Sequence, residues 1–329
     1  MKANRIISLA VIAFCAAGCY EDYVGDYDTI ACGFANQTDV RSLIVGEGME
    51  FSTGVALAGT INNDEDRIVK ISTDLSLVGS GTLSQMKNHT FSYISTLMKK
   101  VSAIDELPAA VYSLESDGGR PGYVTIKKGS HLGIINVKVD SLAFFETDRL
   151  YPHSVIPLRI SEARGCEIIE GRDYSVIGVR YENMLFGNYW HGGSMDVEEG
   201  GETVERIDYH CTVPQADSKV WTLTTVAPFA LTANAVSNGN NGSAAQMKLT
   251  LLPDDSIEIE PVAGASYEVT AEGESYFDRS KLLQDRKIIL NYKYSSGTKT
   301  YHAHDTLYFR NRIRDGVNEW QDSDSSKYE

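Results

Sequence analysis

Cysteine is scarce in this chain of 329 residues, which contains only five. Cys15 and Cys19 lie near the N-terminus, whereas Cys32, Cys166 and Cys211 are far apart and lack paired spacing. Three separated cysteines do not build a disulfide framework. The body of the protein must therefore be stabilised by packed cores, and its length favours two domains.

Positively charged residues are also few relative to negatively charged ones. The chain has 30 Lys and Arg residues against 45 Asp and Glu residues, which gives a formal charge of −15 at pH 7. A surface of this sign repels both nucleic acid and anionic lipid headgroups. We therefore expect no nucleic-acid partner.

The sequence lacks the common catalytic motifs. It contains no G-x-S-x-G, H-E-x-x-H or P-loop spacing. His302 and His304 could place two imidazoles on one face of a strand, but no third zinc ligand is evident beside them. We predict no metal and no cofactor and assign no catalytic residues, so the sequence favours a binding protein over an enzyme without deciding between them.

Long apolar runs are absent apart from residues 6–14, IISLAVIAF. This run follows Lys2 and Arg5, and the small residues 16–18 follow it. The order of basic, apolar and small residues is typical of a secretory signal peptide. A helix needs about 20 apolar residues to span a bilayer, so the run is too short to do so. We predict a signal peptide over residues 1–18.

Cys19 comes directly after this segment, and the arrangement resembles the bacterial lipoprotein box, although Ala16 stands where Leu or Val is usual. The resemblance implies cleavage before Cys19 and acylation of that residue. Residues 19–28 carry four carboxylates and little aliphatic material, which predicts an acidic tether. Acids behind the lipidated cysteine also resemble the surface-export signal of lipoproteins in glycan-foraging gut Gram-negative bacteria. This implies a lipid anchor in the outer membrane, with the protein facing the extracellular side.

The remainder of the chain has the pattern of a β protein. Two-residue alternation between Gly-, Asn- and Asp-rich turns recurs along it. Residues 122–140 predict a hairpin, residues 295–297 mark the turn of another, and residues 90–100 predict one of the few helices. We expect an all-β protein, with an Ig-like β-sandwich over 29–182 and a calycin/lipocalin-like antiparallel β-barrel over 183–329.

Four short motifs resemble a known pair of domains. Leu107-Pro108 and IPLRI at 156–160 are similar to the Ig-like N-terminal domain of unknown function in surface lipoproteins of polysaccharide-utilisation loci. GNYWHG at 187–192 and FRNRIRDG at 309–316 resemble the calycin-like C-terminal domain of unknown function that accompanies it. Together the two domains cover nearly the whole mature chain.

The calycin resemblance implies a structural role for Trp190. In such barrels an early Trp closes one end and stacks on an Arg near the last strand. Arg310, Arg312 and Arg314 are the candidates for that cation–π contact.

A second interpretation makes the same region a sugar platform. Apolar sugar faces stack on aromatic rings, and hydroxyls bond to imidazole and amide groups. Tyr189, Trp190, His191 and Trp320 are therefore candidate glycan-binding residues, and Trp320 could equally cover an end of the barrel.

These observations predict a non-catalytic, surface-exposed outer-membrane lipoprotein that binds glycan as an accessory to polysaccharide capture and uptake. Its partners would be a glycan or oligosaccharide, the membrane through its lipid anchor, and an outer-membrane glycan transporter. Two alternatives remain open. One is a glycan hydrolase with two carboxylates across a cleft at the barrel rim. The other is a structural subunit of an uptake complex.

The anchor prediction is tested by Cys19→Ala. We expect this variant to lose palmitate labelling and to leave the membrane fraction, because the lipid chains supply the affinity for the bilayer. Cys15→Ala, four residues upstream, is the matched control and should remain labelled. A Cys19→Ala protein that stays labelled and membrane-bound would contradict the prediction.

Overall fold

The computed structural model describes residues 29–116, 120–210, 218–237, 239, 242, 244–279 and 282–323. The predicted signal peptide (1–18) and the predicted tether (19–28), with the lipidation site Cys19, lie outside the described residues. No helix among the described residues has the length and apolar character needed to cross a membrane.

Two sheets form the first half of the structure. Their strands are β1 (Ala31–Phe34), β2 (Thr38–Val45), β3 (Glu50–Ala58), β4 (Arg67–Thr73), β5 (Asp105–Glu106), β6 (Tyr112–Ser116), β7 (Tyr123–Ile126), β8 (Leu132–Val139), β9 (Ser154–Arg164), β10 (Glu167–Ile168) and β11 (Tyr174–Asn183). One sheet has the order β10-β1-β3-β8-β6, and the other has the order β2-β11-β9-β4-β7 with β5 beside β9. Alternate residues of β8 are buried. Val55 and Val137 from one sheet share a core with Ile156 and Val179 from the other.

The prediction of a hairpin over residues 122–140 is wrong. β7 pairs with β4 in one sheet, whereas β8 pairs with β3 and β6 in the other. The two segments therefore face each other across the core. Gly133 of β8 is packed so closely that a Cβ there would stand 2.5 Å from Cγ1 of Val124. Alternation identified both strands correctly, but it does not distinguish a partner in the same sheet from one in the opposite sheet.

Short helices accompany the two sheets, and the first two of them pack on β2. They are α1 (Ser80–Lys87), α2 (Ser92–Met98) and α3 (Ser141–Phe145). The helix predicted over 90–100 corresponds to α2. Its buried residues Ile94 and Met98 pack with Met86 of α1 and Val40 of β2 in a small separate core.

The second half is a curled antiparallel sheet. Its strands are β12 (Gly187–Glu199), β13 (Glu202–Tyr209), β14 (Val220–Ala227), β15 (Ala230–Ala233), β16 (Met247–Leu251), β17 (Ile257–Pro261), β18 (Thr270–Ala271), β19 (Tyr276–Asp278), β20 (Lys287–Ser296), β21 (Lys299–Arg314) and β22 (Val317–Glu319). The main path runs β17-β16-β15-β14-β12-β21-β20-β18. β20 and β21 form the hairpin predicted around residues 295–297.

The barrel is nearly closed. Backbone N–H groups of Ile257 and Phe277 donate to the carbonyls of Ser275 and Asp255, each at 2.8 Å, and so connect the segment around β19 to the start of β17. In the described part of the chain, eight antiparallel strands form the wall. The predicted all-β class, an Ig-like sandwich followed by a calycin-like barrel, is confirmed. The predicted boundary at residues 182 and 183 stays a prediction.

A buried ionic cluster joins the halves. Glu47, in the turn between β2 and β3, accepts hydrogen bonds from Arg286 (2.6 Å) and from two nitrogens of Arg312 (2.8 and 3.0 Å) of the barrel. Arg286 also donates to the Met184 carbonyl at 2.9 Å, and Arg312 donates to Glu319 at 2.6 Å. Burial favours the neutral carboxyl, but the two arginines outweigh it and hold the pKa of Glu47 below its ordinary value.

We expect Glu47→Gln to lower the free energy of unfolding at pH 7 by about 3 kcal/mol, because it leaves two buried guanidinium groups without their shared anion. Since the pKa of Glu47 is lowered by folding, its contribution is present above the unfolded-state value of about 4.3 and is lost as the pH falls through the folded value. The difference between wild type and variant in urea unfolding should therefore shrink in acid. Glu50→Gln, at an exposed position on β3, is the control. Equal stability of the two variants at pH 7 would contradict the assignment.

Candidate functional site on the barrel surface

Strand β12 separates the three adjacent residues that were predicted to form a sugar platform. Successive side chains of a strand point to opposite faces. Tyr189 and His191 are buried in the barrel, at 0% and 3% exposure, while Trp190 between them is partly exposed on the outer face. The three residues therefore do not form one sugar-binding surface, because alternate side chains of β12 point to opposite faces of the sheet.

Tyr189 is a core residue. Its hydroxyl donates to the Leu185 carbonyl at 2.9 Å, and its ring packs edge to face against Phe309 with the centroids 5.7 Å apart. Burial raises the pKa of Tyr189 above its ordinary value. With no exposed surface, this ring cannot stack on a sugar from solvent.

His191 belongs to a polar network inside the barrel. Its ring is stacked between Tyr209 and Trp221, at centroid distances of 5.0 and 4.6 Å. Its Nε2 lies 3.1 Å from Oδ1 of Asp305, but the geometry does not allow a hydrogen bond between them. Asp305 is fully buried and accepts from the hydroxyls of Tyr209 (2.7 Å) and Tyr292 (2.6 Å). Burial, with the nearby Asp305 carboxylate, raises the pKa of both tyrosines.

We expect Asp305→Ala to lower the free energy of unfolding by about 2–4 kcal/mol, because the buried hydroxyls of Tyr209 and Tyr292 lose their shared acceptor. Asp278→Ala, on the exposed side of β19, is the matched control and should change stability by less than about 0.5 kcal/mol. Chemical denaturation measures both. Equal losses in the two variants would show that the network does not stabilise the barrel.

Trp190 contacts one of the three predicted arginines. The guanidinium of Arg310, on the neighbouring strand β21, lies 4.6 Å from the centroid of the indole. Arg312 instead bonds to Glu47 and Glu319 and lies over Phe186, and Arg314 pairs with Glu319. The outer-face contact is therefore between Trp190 and Arg310. Whether it closes the barrel stays a prediction.

A row of polar side chains crosses the outer face next to this contact. The hydroxyl of Thr222 (β14) donates to Asn188 (β12) at 2.9 Å, Asn188 donates to Asn311 (β21) at 3.3 Å, and Asn311 donates to Asn318 (β22) at 2.7 Å. We call these four residues the amide row. Asn188 and Asn311 each accept one bond and donate one, and Asn318 accepts one. These bonds orient the carboxamides and leave further donor and acceptor capacity for solvent or a ligand.

Aromatic and cationic groups border the amide row. Tyr308 is the partner of Trp190 in the pairing of β12 with β21, so these two partly exposed aromatic residues are cross-strand neighbours. Lys287, paired with Tyr308 on β20, has its ammonium 5.6 Å from the phenol ring. The face thus combines apolar ring surface with fixed amides and with the cations Arg310 and Lys287.

The sequence motifs identified Trp190 as a candidate site residue, but they did not predict the amide row. Asn188 and Asn311 occur in the motifs that suggested the calycin domain, yet nothing local indicates that they meet. Their contact follows from the pairing of β12 with β21, where a register shift between Asn188 and Tyr189 sets Asn188 opposite Asn311.

Other predicted candidates lie elsewhere. Trp320 follows β22 and is 55% exposed. His302 bonds through Nδ1 to Glu272 at 2.6 Å, and His304 bonds through Nδ1 to Asn291 at 2.9 Å. Within the described ranges, no group of three or more His, Cys, Asp or Glu residues is arranged to hold a metal ion.

Comparison with known proteins identifies relatives by fold only. No family model matches the chain, and no curated protein matches its sequence significantly. A protein of unknown function from Bacteroides ovatus is similar in structure, with a TM-score of 0.61, 17% identity, and coverage of 90% of this chain and 98% of that one. A multidomain protein including DUF1735 from Bacteroides ovatus has a TM-score of 0.41 at 15% identity, covering 88% and 99%. An auxiliary nutrient binding protein from Bacteroides thetaiotaomicron has a TM-score of 0.39 at 16% identity, covering 82% and 88%. The first likeness shows that the architecture of this chain recurs as a whole in another protein.

Proposed function

We propose that the protein is a non-catalytic lipoprotein, anchored to the outer membrane through Cys19 and facing outwards, that binds glycan as an accessory to polysaccharide capture and uptake. An outer-membrane transporter would receive the glycan. The observation that carries the binding part of this proposal is the amide row, which lies beside the cross-strand neighbours Trp190 and Tyr308.

The chemistry of the face suits sugar hydroxyls. A hydroxyl both donates and accepts, and so does each carboxamide of the amide row. The bonds along the row hold the amides in place before a ligand arrives, which lowers the entropy lost on binding. The rings of Trp190 and Tyr308 offer apolar surface to the C–H face of a sugar, and Arg310 adds further donors.

The buried network argues against a hydrolytic role for the most suggestive catalytic pair. His191 and Asp305 resemble a base and its orienting carboxylate, but Asp305 is fully buried and His191 is 3% exposed. A general base must come within hydrogen-bond reach of its substrate. The pair is therefore better explained as a stabilising element of the barrel.

The test uses the mature chain with Cys19→Ala, screened on an array of host and plant glycans, with affinities then measured by calorimetry. For a glycan that binds, Asn188→Ala and Asn311→Ala should each weaken binding about tenfold, the size of one good hydrogen bond. Thr222→Ala should weaken it less, because the hydroxyl contributes by orienting Asn188. Thr224→Ala, two residues along β14 on the same face, is the matched control and should bind as wild type.

Unchanged melting temperatures would establish that the variants remain folded. Full affinity in both asparagine variants would place the glycan site elsewhere. Failure to bind any glycan on a broad array would overturn the glycan proposal. Release of products from a bound oligosaccharide would favour the hydrolase alternative.

A further inference from the structure

A concave cleft of about 400 Å³ lies where one end of the barrel meets the first half of the chain. The end of β2 and the segment after β11 form one side, with Val45 and Met184. The turns that follow β14 and β16 form the other, with Phe229, Leu251 and Leu252. The volume is within the range of small-molecule sites. The cleft is separate from the amide row, which lies on the outer wall of the barrel.

The walls of the cleft are mainly apolar. Phe229 remains 53% exposed, although its ring packs at an edge against Phe145 (6.1 Å), which in turn packs against Tyr181 (5.8 Å). The Phe229 ring is thus held beside a concave aliphatic wall, with part of its apolar surface exposed to water. Covering that surface with an apolar ligand would be favourable at roughly 25 cal/mol per Å².

The polar groups of the cleft are few. The Asn183 side chain is occupied, since it donates to the Pro228 carbonyl and accepts from the Leu185 N–H, each at 2.9 Å. Arg279 is the one charged residue among the described lining residues, and no Asp or Glu is among them. Arg279 bonds to Asp255 through Nε and Nη2, which leaves Nη1 for another acceptor, and its side chain is 44% exposed.

We infer that this cleft binds a small anionic amphiphile, with an aliphatic chain against the apolar wall and a carboxylate or similar head at Arg279. The aliphatic lining selects the chain. Arg279 is ion-paired with Asp255, so it selects the head through its remaining Nη1 donors, which favour a strong acceptor such as a carboxylate. The net negative charge of the protein acts against an anion at long range, but at physiological salt that effect is screened beyond about 8 Å, whereas a contact with Arg279 is direct.

The inference is tested with alkyl carboxylates as probes, using calorimetry on the mature Cys19→Ala protein below the micellar concentration of each probe. Octanoate, decanoate and dodecanoate should bind saturably, with affinity rising roughly three- to fourfold per added methylene. Thr250→Phe, which places a ring in the cleft, should weaken decanoate binding at least tenfold. Phe229→Ala should weaken it severalfold, and Phe91→Ala, which removes a ring of similar exposure (49%) on the first half, should not.

The role of Arg279 is tested by selectivity. Wild type should prefer decanoate to 1-decanol, and Arg279→Gln should reduce that preference at least fivefold. A ratio of affinities for two probes is insensitive to small changes in the stability of the variant. No saturable binding of any alkyl carboxylate, or binding that Thr250→Phe leaves unchanged, would overturn the inference. Asn188→Ala should not alter decanoate binding, so the inference about the cleft and the proposal of a glycan site are tested independently.

Discussion

The arrangement of the two halves depends on the burial of one carboxylate. Glu47 comes from a turn of the sandwich, yet the arginines that neutralise it belong to the barrel. A buried charge without its partners is strongly unfavourable, so the turn and the barrel end must stay together for the cluster to persist. Arg286 extends the constraint by bonding to the Met184 carbonyl, in the short segment that joins the halves. The cluster adjoins the apolar cleft, since Gly46, next to Glu47, and Met184, the partner of Arg286, both line it.

The barrel uses the two faces of β12 for different purposes. Inward-facing Tyr189 and His191 fill the interior, where the Tyr189 hydroxyl donates to the Leu185 carbonyl and the His191 ring stacks between Tyr209 and Trp221. Outward-facing Asn188 and Trp190 meet neighbours from β14 and β21. Because β14, β12, β21 and β22 are successive neighbours in the sheet, residues far apart in sequence share one surface, as Thr222 and Asn318 do through two intervening asparagines.

Much of the fold could be predicted from sequence, because strand alternation and turn residues are local signals. They indicated the two β-rich parts, the hairpin at residues 295–297 and helix α2. Pairing is not local, and the segment 122–140 shows the limit, since its two strands belong to different sheets. The candidate site was only partly predictable. Trp190 was identified by its type and motif, but it was grouped with Tyr189 and His191, which strand alternation places on the opposite face. The amide row depends on register among four strands, which no local pattern encodes.

The bonds of the amide row all run in the same sense. Starting from the hydroxyl of Thr222, every donor faces the next acceptor, and the row ends at the carboxamide of Asn318. Hydrogen bonds in such a chain polarise one another, so the two ends are chemically unlike. A sugar chain is itself directional, with distinct reducing and non-reducing ends. A linear polymer lying along the row would therefore contact a series of hydrogen-bonding groups that has a direction. The protein could then bind it in one orientation in preference to the reverse.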